Sequence, residues 1–486
     1  MLCLPEISAL DPARLALLVA SLLVVCGFEL VNGFHDTANA VATVIYTRAL
    51  RPWAAVTWSA LWNFLGVWLG GIAVAVSILE LLPAELLVQS NPGVCFAMIA
   101  AILLAAICWN IATWYVGLPV SSSHTLIGAL VGVGIAQSML VGHFGHGVSW
   151  DKVEDVGLAL VLSPLLGLGA AALLILLAKR LLPSPSLHAP PVGEAPPPWW
   201  IRALLIVTCT GVSYAHGSND GQKGVGLVML ILIGIVPGSF ALDERADAAR
   251  IARTVAVADD IAWTVRAGSA EHVRCASAGT SVCGVGDEEA RILEHLGAVH
   301  AALAGKPSIG ELSGEARWDV RRRIVIVDAE LNALEKRGQL GLPPGGAARL
   351  SREVEDLRAL VDYAPPWVPV MIALALGVGT MIGWKRIVVT VGERIGKSHM
   401  TYAQGAAAEV VTMSTIAVAS GAGLPVSTTH VLSSGVAGTM LAQRSGVQRA
   451  TARNIALAWL LTLPATMLLA AGLFLLFNLF VTHAPG

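Results

Sequence analysis

Two short polar segments interrupt long apolar sequence, and each occurs twice. The first reads Asn32-Gly33-Phe34-His35-Asp36-Thr37-Ala38-Asn39-Ala40 and is answered by His216-Gly217-Ser218-Asn219-Asp220-Gly221-Gln222-Lys223-Gly224. The second reads Gly117-Leu118-Pro119-Val120-Ser121-Ser122-Ser123-His124 and is answered by Gly423-Leu424-Pro425-Val426-Ser427-Thr428-Thr429-His430. Ionisable side chains at membrane depth are costly and face a bundle interior, where they mark a substrate or ion path. Their paired occurrence points to a chain built from an internal repeat.

Each Pro-Val-Ser segment reads as the start of a helix, where proline pre-sets the first turn and serine caps it. Such an end presents free N–H groups and a positive dipole to an anion. Ser121, Ser122 and Ser123, with Ser427, Thr428 and Thr429 from the other half, add hydroxyl donors. Two such starts facing one another form an anion cradle; in the bland reading the hydroxyls only bond back to helix carbonyls.

Asp36 and Asp220 repel an anion unless a proton or a cation lies between. Hydrogen phosphate brings its own proton and donates a P–OH hydrogen bond to a carboxylate, whereas sulfate at neutral pH has no such proton. The two carboxylates therefore favour phosphate over sulfate and also offer ligands to a coupling cation. Asn39 and Asn219 donate or accept as required. The competing reading of the aspartates is an internal ion pair with Lys223. Glu409, His124 and His430 complete the candidate coupling-ion set, since histidine titrates in the working pH range. His35 and His216 flank the aspartates, and a lone motif histidine is more often a hydrogen-bonded structural residue than a proton carrier.

The elements that position these residues are helical and membrane-spanning. Of 486 residues, 55% are hydrophobic and only 13% charged, against roughly 25% charged in soluble domains. Apolar stretches near the spanning length of about 20 residues are 15–31, 53–79, 94–116, 156–178, 201–215, 224–240, 367–384, 403–422 and 454–481. With 119–141 and 425–442 as full spans or re-entrant pieces, the expectation is an all-α polytopic membrane protein of about ten to twelve segments. Continuous rather than alternating apolar runs argue against a β-barrel. The first apolar run has no small-residue cleavage site and is expected to be retained.

Charge concentrates in residues 241–362, which hold 16 of the 31 Lys and Arg and 20 of the 33 Asp and Glu. This block is expected to be a soluble helical insert with helices over 243–266, 287–304, 313–337 and 347–361. Its apolar spacing shows in Ile324, Val327, Leu331 and Leu334, and in Leu350, Val354, Leu357 and Leu360. The proline-rich run 183–198 reads as a stiff linker. The expected organisation is a first membrane repeat (1–182), the linker (183–198), the start of a second repeat (199–240), the insert (241–362) and the remainder (363–486).

Spacing supports the duplication. Asp36 and Asp220 are 184 positions apart, Pro119 and Pro425 are 306 apart, and the difference of 122 is the length of 241–362. Ser163-Pro164 and Leu463-Pro464 extend the parallel. Lys179, Arg180 and Arg202 beside the linker, against a loop from Glu80 to Asn91 without basic residues, place the linker on the cytoplasmic side, and the insert is expected there too.

A net charge of −2 and no basic aromatic patch exclude nucleic acid as an expected partner. Cys3, Cys26, Cys95, Cys108, Cys209, Cys275 and Cys283 contain no C-x-x-C pair, so neither a disulfide framework nor zinc is expected. No phosphate-binding G-x-x-x-x-G-K-[ST] loop is present, and no cofactor, resident metal or enzymatic chemistry is expected. Trp62, Trp109, Trp114, Trp199, Trp200 and Trp367 include interface anchors.

The paired motifs resemble the signatures of the Pit family of inorganic phosphate transporters. Phe34-His35-Asp36-Thr37-Ala38-Asn39-Ala40 and Asn219-Asp220-Gly221-Gln222-Lys223-Gly224, with an insert after the second, resemble its bacterial low-affinity branch. The resemblance implies an inverted-repeat fold, often dimeric, in a bacterial inner membrane. It also implies proton-driven symport of phosphate, commonly as a neutral complex with a divalent metal such as Mg. Lys223 stands where sodium-coupled relatives carry asparagine, and Asn63 where they tend to carry glutamate, while Glu409 matches a second glutamate of theirs. Losing an oxygen ligand and gaining an ammonium favours protons over sodium.

Overall fold

The computed structural model describes residues 10–79, 92–142, 148, 150–277, 286–340 and 345–483. Cys3, Cys283 and the loop from Glu80 to Asn91 lie outside the described residues. Among the described residues the regular structure is helical, without a strand. The chain divides into two compact units, one spanning Leu232–Tyr363 and the other Pro12–Ile231 with Ala364–Gly486.

In the larger unit the first-half helices are α1 (Pro12–Tyr46), α2 (Pro52–Leu69), α3 (Ala73–Leu79), α4 (Pro92–Val116), α5 (Ser122–Val141) and α6 (Trp150–Leu181). α7 (Trp199–Ile235) follows the linker. The expectation of separate spans at 15–31, 201–215 and 224–240 is corrected here. α1 and α7 run unbroken through the polar motifs for 35 and 37 residues. Neither motif contains proline, and a helix satisfies its own backbone groups whatever its side chains, so polarity alone does not break it. The stretch 53–79, by contrast, is two helices, broken at residues 70–72.

After the insert come α13 (Trp367–Met381), α14 (Lys385–Val389), α15 (Tyr402–Gly421), α16 (Thr428–Ala442) and α17 (Arg449–His483). Pro164 and Pro464 lie inside α6 and α17. By length and apolarity five described helices are long enough to cross a membrane: α1, α4, α5, α6 and α17. A sixth arises if α13 and the segment Lys385–Arg394, bent by 57°, form one span. This is fewer than the expected ten to twelve segments. α7 is not among them because Ser218, Asn219, Asp220, Gln222 and Lys223 occupy its middle.

Each half lends helices to the other. α1 packs on α13, α5 on α17 and α16 on α6, while α7 lies against α2. The contacts repeat closely. A Cβ at Gly33 of α1 would lie 2.3 Å from the Leu376 carbonyl of α13, and one at Gly217 of α7 would lie 2.2 Å from the Asn63 carbonyl of α2. Only glycine allows backbones this close, the small-residue packing of helices in lipid.

The smaller unit contains α8 (Pro237–Phe240), α9 (Ala248–Ser277), α10 (Gly286–Leu303), α11 (Gly314–Lys336) and α12 (Gly346–Arg358). α9 to α12 pack on one another. Ile324, Val327, Leu331 and Leu334 from α11, with Leu350, Val354 and Leu357 from α12 and Leu360 beyond it, are buried in one apolar core. Asp243 accepts from Arg245 and Arg250 at 3.0 Å each, and Arg321 Nη1 donates to the Val361 carbonyl at 2.8 Å.

Candidate functional site

α1 and α7 bring the two motif aspartates together. Ser122 Oγ, in the first turn of α5, donates to Asp36 Oδ2 at 2.7 Å and lies 3.3 Å from Asp220 Oδ2. Thr429 Oγ1, in the first turn of α16, donates to Asp36 Oδ1 at 2.5 Å. Both Pro-Val-Ser helices thus point their N-termini at the aspartates, and both aspartates are 1% exposed. Asn39 Nδ2 donates to Asp36 Oδ1 at 3.3 Å, to Thr429 Oγ1 at 2.9 Å and to Thr428 Oγ1 at 3.4 Å. Lys223 Nζ lies 2.5 Å from both Asp220 Oδ1 and Ser123 Oγ. The ion pair weighed for Asp220 is therefore present. Lys223 is fully buried, so its ammonium does not extend to a membrane interface.

The hydroxyls divide by task. Ser121 and Ser427 cap their own helices, accepting from His124 N and His430 N at 3.2 and 3.0 Å. Each is the N-cap itself, so Pro119 and Pro425 lie before the helix rather than in its first turn. Ser123 also donates to the Val426 carbonyl at 3.0 Å. Ser122 and Thr429 bond the aspartates instead of helix carbonyls, and the bland reading fails for them.

Other candidates lie away from the aspartates. Asn219 Nδ2 donates to Ser420 Oγ at 3.0 Å and to the Leu424 carbonyl at 3.2 Å, tying α7 to the segment before α16. The rings of His124 and His430 stand 4.4 Å apart, and His430 stacks on Trp459 at 4.0 Å. Glu409 is fully buried and accepts from Thr43 of α1 and Thr208 of α7. Thr43 is seven residues, about 10 Å of helix, beyond Asp36.

His216 closes the cluster. Asn63 Oδ1 lies 2.8 Å from its Nδ1, and its Nε2 faces Asp220 Oδ2 at 3.4 Å. With Nδ1 donating to Asn63, Nε2 presents its lone pair. One ligand atom each from Asp36, His216 and Asp220 lie within 4.8 Å of one another, a carboxylate and imidazole donor set that suits a divalent cation. His35 Nδ1 lies 3.6 Å from Asp36 Oδ1, and its Nε2 meets Thr113 Oγ1 at 3.3 Å.

The sequence reading passed over Glu29, which is fully buried on α1 seven residues before Asp36. Its signal was available: a lone carboxylate inside the apolar run 15–31.

A buried pair of motif aspartates, held by helix starts in a bundle of apolar helices, defines an integral membrane protein with a polar site inside it. Residues 32–470 match the phosphate transporter family. The chain is 41% identical to the low-affinity inorganic phosphate transporter PitA of Escherichia coli (strain K12), over 94% of this chain and 96% of that one. It is 27% identical to a probable low-affinity inorganic phosphate transporter of Bacillus subtilis (strain 168), over 95% and 98%. A solved structure titled the sodium-dependent phosphate transporter shares the fold, with a TM-score of 0.55 at 19% identity over 96% of this chain and 99% of that one. The chain belongs to the phosphate transporter family. It is a transporter, not an enzyme.

Proposed function

We propose that this chain is a secondary transporter that carries inorganic phosphate across the cytoplasmic membrane of a bacterium, coupled to protons. The supporting observation is the meeting of Asp36 and Asp220 at Ser122 and Thr429, the first-turn hydroxyls of α5 and α16. Two helix starts offer N–H groups and a positive dipole to the anion. The carboxylates accept a hydrogen bond from the P–OH of hydrogen phosphate, a donor that sulfate lacks. Asp36, Asn39, Ser122, Ser123, Asp220, Lys223, Thr428 and Thr429 hold the anion, and Ser121, Asn219 and Ser427 hold the helices that present them.

The substrate is read as a divalent metal phosphate. Asp36, Asp220 and His216 suit the metal of such a complex as cargo, and the pairing offsets phosphate charge in a buried site. Lys223 places an ammonium where the first half has Asn39, so a fixed charge stands in for a sodium ion. The two halves, 1–182 and 199–240 with 363–486, are read as inverted repeats with 241–362 inserted. The exchange of helices between halves supports this reading.

Uptake of labelled phosphate into proteoliposomes tests it. Accumulation with choline in place of sodium, raised by an inward proton gradient and by Mg and resistant to excess sulfate, is the expected result. A strict sodium requirement refutes the proton coupling, and binding without accumulation refutes transport.

A further inference from the structure

We propose that Glu29 carries the transported proton; the assignment rests on the proton-coupled reading above. Glu29 is completely buried in the middle of α1. Asn32 Nδ2 donates to its Oε2 at 3.3 Å, and among the described residues its Oε1 has no hydrogen-bond partner. That oxygen lies against α7, where a Cβ at Gly224 would come within 2.5 Å of it. Gly224 directly follows Lys223 and is one helical turn beyond Asp220. Glu29 is two turns before Asp36, on the same face of α1.

The two motif helices therefore meet at three levels in opposite residue order. Glu29 faces Gly224, Asp36 meets Asp220 through Ser122, and Thr43 and Thr208 share Glu409. The carboxyls at these levels are held differently. Asp36 accepts from Ser122, Asn39 and Thr429. Asp220 accepts from Lys223 and Ser122 and is faced by His216. Both oxygens of Glu409 accept from threonines. Only Glu29, of these four, keeps an oxygen without a donor. A buried charge that lacks partners is far costlier than the neutral acid.

The charges around Glu29 are Asp36 on its own helix and Asp220 and Lys223 on α7, with the Cys26 thiol one turn away. His35 and His216 stand beside the aspartates. Among the helices packed on α1, α2 and α13 bring no ionisable side chain, and α4 carries Cys95, Cys108 and Tyr115. Of the others, α15 carries Tyr402 and Glu409, α16 carries His430, and the segment Lys385–Arg394 carries Lys385, Arg386, Glu393 and Arg394. Three carboxylates thus share one ammonium. When a neutral metal phosphate enters, a proton from outside water bonds to a Glu29 oxygen and leaves one carboxylate uncompensated instead of two. On the inner side the same O–H bond breaks and the proton returns to water.

The test uses the full chain in proteoliposomes, with two readouts. One is accumulation of labelled phosphate driven by an inward proton gradient. The other is exchange of labelled for internal unlabelled phosphate at equal pH. Glu29→Gln, fixed in the form of the neutral acid, is expected to lose accumulation and keep exchange. Accumulation with the wild-type pH dependence in Glu29→Gln overturns the assignment. If Gln removes exchange as well, Glu29→Asp decides. Proton-driven accumulation with a displaced pH midpoint upholds the role, and an unchanged pH profile, or exchange without accumulation, overturns it. A wild-type protein that accumulates phosphate only on a sodium gradient removes the proton coupling itself, and with it this role, before any variant is compared.

Discussion

Lys223 and Asp220 are paired at 2.5 Å, three residues apart on α7, and Asn39 and Asp36 stand in the same relation on α1 at 3.3 Å. One motif thus holds its aspartate with an ammonium and the other with an amide. The two carboxylates of the proposed phosphate site are therefore chemically unequal, one already neutralised and one only hydrogen-bonded.

Asp36→Asn and Asp220→Asn are each expected to abolish phosphate uptake while the protein still reaches the membrane folded. The two are expected to differ in stability. Asp220→Asn leaves Lys223 charged and buried without its partner, a loss of about 3–5 kcal/mol for a broken buried pair. Asp36→Asn removes an acceptor of neutral donors and costs about 1–3 kcal/mol. Thermal unfolding in detergent compares them, and equal melting temperatures would contradict the difference in environment.

Gly33→Val is expected to prevent folding of the membrane unit. Its Cβ would stand 2.3 Å from the Leu376 carbonyl and 2.8 Å from Thr380 N, with backbone on the far side that cannot yield. Overpacking costs about 1–3 kcal/mol where side chains can shift, and here none can. Gly217→Val meets Asn63 in the same way. Size-exclusion profiles in detergent read the outcome, and a monodisperse Gly33→Val would show that the helices can part.

The site residues were legible in the sequence because their polarity has no other use in apolar surroundings. Asp36, Asp220, Ser122 and Thr429 meet as their repetition suggested, and Lys223, which has no lysine counterpart in the first half, joins them through Asp220. Tasks were less legible. Nothing in Ser121-Ser122-Ser123 says which hydroxyl caps the helix and which reaches across, since that depends on where the first turn begins. Helix boundaries failed at the motifs for a related reason. Hydropathy registers side chains, whereas helix continuity depends on the backbone, so α1 and α7 read as broken. The amphipathic helices of the insert were legible because their period of burial is written in Ile324, Val327, Leu331 and Leu334. Glu29 escaped because it stands alone rather than in a repeated motif.

Deleting most of 241–362 and joining the ends with a short flexible linker is expected to leave phosphate uptake measurable. Residues Leu232–Tyr363 form a compact unit with its own apolar core, and none of the proposed phosphate-holding residues belongs to it. Transport by a deletion variant that still inserts in the membrane checks this. Complete loss of flux in a folded variant would make the insert part of the transport machinery.

The insert is expected to weaken in acid through His295. Burial, and next to it Arg323, whose guanidinium lies 3.2 Å from His295 Nδ1, lower its pKa below the ordinary histidine value. The folded unit therefore binds this proton less readily than the unfolded chain. The stability held by neutral His295 is present above the ordinary histidine pKa and is lost as pH falls through it toward the lowered value. The protection of amides in α10 and α11, measured against the intrinsic exchange rate at each pH, is expected to fall on acidification, with a smaller fall in His295→Gln. An identical pH response in the variant would assign the effect to other groups.

Lys223→Asn restores to the second motif the residue type that the first motif carries at Asn39. The fully buried ammonium bonds both Asp220 and Ser123, so its removal takes one positive charge from the site and frees an Asp220 oxygen. Phosphate binding is expected to weaken by about tenfold or more, the scale of one charge-assisted hydrogen bond. The new amide oxygen and the released carboxylate also supply two ligands for a monovalent cation. Uptake by the variant is therefore expected to rise with external sodium, whereas wild-type uptake is expected to be indifferent to exchanging sodium for choline. Phosphate affinity and sodium dependence are measured on the same proteoliposomes, so the two effects separate. Unchanged affinity in Lys223→Asn would reduce the lysine to a structural partner of Asp220. Weakened binding without a sodium response would keep its role toward the anion and remove its role as the replacement for a cation.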